Sequence, residues 1–108
     1  MMLVLITKAP YGSEDAYAGF RAALMISASG MKTDVLLIDD GVFNLVEKQA
    51  PADFPSNLKE IKILRGLDVE VYCMKNDLEK RSIKPPEYVK TVDNVSELVL
   101  KNEVILTF

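Results

Sequence analysis

The 108-residue chain has no histidine, no tryptophan and one cysteine, Cys73. Without histidine, a single chain assembles neither a Ser-His-Asp nor a Cys-His catalytic set, nor a mixed Cys/His zinc site. One thiol excludes an internal disulfide and a thiolate metal cluster within one subunit. Long hydrophobic runs are missing as well. The apolar start, "MMLVLIT", is too short to span a membrane and lacks the basic flank and cleavage site of a signal peptide. The expectation is a cytoplasmic protein with no membrane partner. Positive charge is not in excess: 13 Lys and Arg against 16 Asp and Glu leave a net charge of -3. The two signs are interspersed and form no basic stripe, so no direct nucleic-acid partner is expected.

What is present is the balance of an ordinary globular domain, with 49% apolar and 27% charged residues. The length suits one domain over residues 1–108, with a core that needs no metal or disulfide. Residues 2–7 are apolar on both faces and predict a buried strand. From Ser13 the period changes. Ala16, Tyr17, Phe20, Ala23, Leu24, Ser27 and Ala28 line one side of a helix, with Ser13 as N-cap, Glu14 and Asp15 in the first turn and Gly30 as the stop.

"DVLLID", residues 34–39, predicts a second strand, and residues 42–49 a short helix. Ser56 caps a helix through about Leu64, stopped by Gly66. "DVEVYC", residues 68–73, alternates polar and apolar like a strand with one wetter face. Asn76 with Glu79, and Asn94 with Glu97, form capping-box patterns ahead of two short helices. Residues 88–92 and the final "EVILTF" predict strands. Strand and helix alternate without repeats or linkers. That order implies an α/β fold: one three-layer domain whose mainly parallel sheet of about five strands carries helices on both faces. Working groups in such sheets collect beyond the strands' carboxyl ends. Lys8–Ser13, Asp39–Val42 and Cys73–Asn76 qualify.

Each of these loops has a plain and a functional reading. "APYGSEDA" has one glycine where a dinucleotide loop needs three, and its two acids repel a phosphate, so a strand exit and helix cap is favoured over an anion cradle. Asp39 and Asp40 before Gly41 suit a solvated turn better than a magnesium site, for which no further oxygen ligands can be placed. Cys73 is either a small buried hydrophobe or a reactive thiol. The second reading rests on its place at a strand end, three residues before a helix cap and close to Lys75. Helix amides and a cation there favour thiolate. "GVFNLV", residues 41–46, is inner core or a subunit contact, and its crowded apolar residues favour oligomerisation.

Three segments, "PYGSEDAYAGFRAALM", "IDDGVFNLVEKQ" and "ELVLKNEVILTF", resemble the DsrE/DsrF-like sulfur-relay proteins, in particular their TusC/DsrF branch. The resemblance implies a small α/β sheet fold and assembly into trimers or hexamers, as homo-oligomers or with related subunits. It also implies a cytoplasmic role in passing persulfide sulfur from donor to acceptor proteins, for example toward tRNA thiolation or sulfur oxidation. In the DsrE/TusD branch a cysteine after the third core strand carries the sulfur, and "VEVYCMKNDLEKRSI" places Cys73 at the matching position. The opening and "DDGVF" segments are instead similar to the branch that usually supplies a partner subunit, and "MKND" differs from the small residues expected after a carrier cysteine.

Thiol exchange needs no metal and no cofactor, and none is expected. It does need Cys73 uncovered and moderately acidic. The alternatives are a non-catalytic subunit of a sulfur-transfer complex and a small-ligand binding module using the strand-end rim.

Overall fold

A computed structural model describes residues 1–10, 14–46 and 57–108. Its elements follow the expected alternation: β1 (Met2–Ile6), α1 (Asp15–Ala28), β2 (Thr33–Leu37), a 3-10 segment (Asp39–Leu45), α2 (Leu58–Gly66), β3 (Glu70–Met74), α3 (Lys75–Lys80), β4 (Lys90–Val92), α4 (Ser96–Lys101) and β5 (Val104–Thr107). The five strands form one parallel sheet in the order β4-β3-β2-β1-β5.

That order explains how the helices are distributed. From β1 to β4 each strand is added on the same side, and right-handed crossovers put α1, α2 and α3 on one face. The return from β4 to β5 runs the other way, so α4 lies on the opposite face. The larger core packs Val4, Ile6, Val35, Leu37, Val71 and Cys73 of the sheet beneath Phe20 of α1, Ile61 and Leu64 of α2 and Leu78 of α3. The smaller core joins Leu3 and Leu36 to Leu98 of α4 and leaves Leu5, Ile38, Tyr72 and Met74 partly covered.

β2 is the central strand and every one of its residues is buried, which accounts for its apolar run Val35–Leu37 after the polar Thr33 and Asp34. The Asp34 carboxylate accepts from Asn102 Nδ2 at 3.3 Å and lies 3.7 Å from Lys101 Nζ, so its charge is met by the end of α4. β3 alternates as its sequence predicts: Val71 and Cys73 are buried under the helices, while Glu70, Tyr72 and Met74 face the thinner layer half-buried.

Helix ends differ in detail from the sequence expectation. Gly30 takes the left-handed conformation, φ 97°, that its place after α1 requires. Glu14 and Asn57 occupy the N-cap positions of α1 and α2, and the expected caps Ser13 and Ser56 lie outside the described residues. α3 starts at Lys75, so Asn76 sits inside the helix and caps nothing. Val95 precedes α4, and the Asn94 side chain accepts instead from the Ser96 hydroxyl. The helix expected over 42–49 is a tighter 3-10 segment that begins earlier, at Asp39, and its last expected residues lie outside the described region.

Candidate functional site

The carboxyl ends of β1, β2 and β3 meet at one rim, as the alternation of elements predicts. The turn out of β2 is pressed against the end of β1. A Cβ at Gly41 would stand 2.0 Å from the Ile6 carbonyl oxygen, so only glycine fits there. Asn44 fixes the same turn from inside, its Nδ2 donating to the carbonyls of Lys8 at 2.9 Å and Gly41 at 2.8 Å. Asn57 Nδ2 donates in turn to Asn44 Oδ1 at 2.7 Å and joins α2 to the rim. The Asn44 amide is thus paired through both its nitrogen and its oxygen, which holds the turn in one geometry.

A second network ties the end of β2 to α3. The Asp39 backbone N–H donates to Asp77 Oδ2 at 3.0 Å while Asp39 itself holds φ at 50°. Arg81, one residue past α3, reaches Asp40 Oδ1 with Nη2 at 3.0 Å and with Nε at 3.3 Å. Its Nη1 lies 3.5 Å from Asp77 Oδ1, and its guanidinium carbon is 5.7 Å from the centre of the Phe43 ring. Asp40 is therefore committed to a cation on the neighbouring element. The turn residue and possible metal ligand of the sequence reading is half of an inter-element ion pair. Among the described residues no group of acids, cysteine or histidine is arranged to hold a metal ion.

Cys73 lies on the helix-covered face of β3, with 0% of its surface exposed. The expectation of an uncovered, moderately acidic thiol is overturned. β3 alternates, so the position that ends the strand's inward series points into the core. Leu78, Val42, Leu45 and Val89 belong to the same packed cluster. Burial pushes the thiol pKa up from 9.0 to about 12. Its Sγ–H also points to the Lys90 carbonyl of β4 at 3.6 Å, a contact that only the protonated form can donate. The cation and helix amides expected to acidify Cys73 do not outweigh this, because Lys75 is exposed and α3 has six residues.

The apolar segment 41–46 divides between the two roles proposed for it. Val42 and Leu45 are core, and Phe43 and Val46 are partly covered at the rim. Beside it an open cavity of about 370 Å³ is lined by Leu45, Val46, Ile83, Pro85 and Pro86, with Ser82 and Lys84. Exposed large apolar side chains lie elsewhere too, among them Leu100 of α4, 86% exposed, and Val104, Ile105 and Leu106 of the edge strand β5.

A family model for the DsrE/DsrF-like family matches residues 1–108. The chain belongs to the DsrE/DsrF-like family. The chain is 29% identical to an uncharacterised protein of Methanocaldococcus jannaschii over 97% of its own length and 96% of that protein's. It is also 29% identical to an uncharacterised protein of Methanopyrus kandleri, over 86% of this chain and 77% of the other. The crystal structure of the ychN protein from E. coli superposes with a TM-score of 0.84 over 99% of this chain and 97% of that one, at 24% identity. That likeness shows a shared fold. DsrE/DsrF-like membership supports a sulfur-relay role in general terms.

Sequence reasoning missed Arg81 and Asp77. Their spacing, four residues apart with Asp77 in α3 and Arg81 just past its end, was a usable signal. Their partners, Asp39 and Asp40, lie about forty positions away in the chain, and only the fold brings them together.

Proposed function

We propose that the protein works in a cytoplasmic sulfur relay and that, in the conformation described here, it serves as an assembling, non-catalytic subunit. Family membership supports the relay. The observation that carries the subunit reading is the complete burial of Cys73. A thiol with a pKa of about 12 is almost wholly protonated at neutral pH, and the thiolate is the form that attacks sulfur. The apolar edge strand β5 and Leu100 support assembly, because monomers seldom leave such an edge bare. The experiment is to reconstitute sulfur transfer with persulfide donor and related subunits. Cys73→Ser retains transfer on this reading, and loss of transfer with the fold intact rejects it.

A second reading, in which Cys73 is the carrier, is favoured by its place at the carboxyl end of β3, directly before α3. Uncovered and deprotonated, Cys73 would attack the outer sulfur of a donor persulfide. The donor S–S bond breaks as the Cys73 S–S bond forms, the donor leaves as a thiolate, and no net oxidation occurs. Stoichiometric gain of one sulfur atom in the intact mass, absent from Cys73→Ser, is its test.

A further inference from the structure

α3 is held at the rim by very little apolar contact. It has six residues, of which Leu78 alone is buried. A helix so short has no stability of its own. Its remaining attachments are polar and converge on one place: Asp77 receives the Asp39 N–H, and Arg81 spans Asp77 and Asp40. Arg81 is also the best shielded member of the Arg81–Asp40 pair, 22% exposed against 62%, and lies over Phe43. Beneath the same helix, Leu78 packs in the cluster that seals Cys73. Polar fastening of a weakly packed segment over a buried nucleophile is the arrangement of a latched cover.

We propose that α3 is a lid over Cys73 and that Arg81 is its latch, the Asp40–Arg81–Asp77 network setting how often the thiol is uncovered. The proposal deepens the carrier reading of Cys73, but lid opening is measured without any sulfur donor, so one can fail while the other stands. Arg81 acts here as a positioning residue, through α3.

The test is the rate at which the native protein reacts with 5,5′-dithiobis(2-nitrobenzoate). The Cys73 thiolate, its proton lost to water, forms a mixed disulfide and displaces one coloured thionitrobenzoate. Arg81→Ala is expected to react roughly tenfold faster than the parent, equivalent to about 1.4 kcal/mol of opening free energy. Asp40→Asn gives a smaller acceleration, since that carboxylate is largely exposed. Salt at about 1 M, where screening acts over about 3 Å, accelerates the parent and leaves Arg81→Ala unchanged. Arg65→Ala serves as the control. It removes the 3.2 Å pair to Glu70 at the opposite end of β3 and leaves the rate unchanged once urea unfolding has been measured for every variant. Equal rates for Arg81→Ala and the parent overturn the proposal. So does acceleration by Arg65→Ala of the same size, or labelling that simply follows global stability across the set. If Arg81→Ala does not fold, Asp40→Asn and the salt dependence decide by the same criteria.

Discussion

The Sγ of Cys73 stands 3.6 Å from the backbone carbonyl of Lys90, so the chain's one thiol is held by the neighbouring strand β4. Protonation state and packing are coupled at this contact. The carbonyl accepts from a thiol and repels a thiolate, and the surrounding cluster offers the charged form nothing.

The coupling has a pH signature. The folded pKa of Cys73, about 12, is raised above its ordinary 9.0, so the native state keeps a proton that the unfolded chain releases. Its contribution to stability is complete below about pH 9 and is lost as pH rises toward 12. Within that window stability falls by up to about 1.4 kcal/mol per pH unit from this group. Urea unfolding at several pH values, compared with Cys73→Ala, isolates the effect. A pH slope in this window that is the same in both proteins contradicts it.

Gly41→Ala is expected to destabilise the fold by about 1–3 kcal/mol or more, because the new methyl group meets backbone at the end of β1 and no side chain can yield. Phe20→Ala, which empties the middle of the larger core, costs about 3–5 kcal/mol. Urea midpoints measure both, and an unchanged midpoint for Gly41→Ala would show that the turn out of β2 is not packed as described.

Assembly is expected to depend on the β5 edge and not on the rim. Leu100→Lys and Ile105→Lys should lower the particle mass measured by light scattering, whereas Phe43→Ala, which only removes the ring beside Arg81, should not. A parent protein that is monomeric at high concentration counts against the assembling subunit.

The small-ligand reading is expected to fail. Thermal shift against nucleotides, flavins and anions should show no stabilisation from any of them, and a clear shift with one would reopen the rim as a ligand site.

The order of elements, the parallel sheet and the rim were legible because they follow from short-range patterns. β2 reads as a buried strand since both its neighbours exist, and β3 alternates since one of its faces is thinly covered. The state of Cys73 was not legible. The nearby Lys75 and the helix start at Asn76 suggested an acidic thiol, but what raises its pKa is burial in the cluster that holds Leu78, Val42 and Leu45. A local pattern gave the strand end, and the alternation within "VEVYC" already held the information that Cys73 shares a face with the buried Val71. Asp39 and Asp40 do lie in an exposed turn, as the sequence reading favoured, but their partners Asp77 and Arg81 are distant in sequence and were not legible.

The exposed strand β5 was hidden differently. "EVILTF" is as apolar as β1, and only the strand order, which puts β5 at the edge and β1 inside, separates a buried strand from a bare one. Likewise "GVFNLV" was credited with the contact surface because its apolar residues cluster, although Val42 and Leu45 turn inward.

The most direct measurement is the intact mass of the native protein after incubation with a persulfide-loaded donor, run beside Cys73→Ser and beside protein opened in urea. A sealed Cys73 predicts no added sulfur on the native chain over the time in which the urea-opened chain takes up one atom. Rapid, stoichiometric uptake by the folded parent, absent from Cys73→Ser, would contradict it.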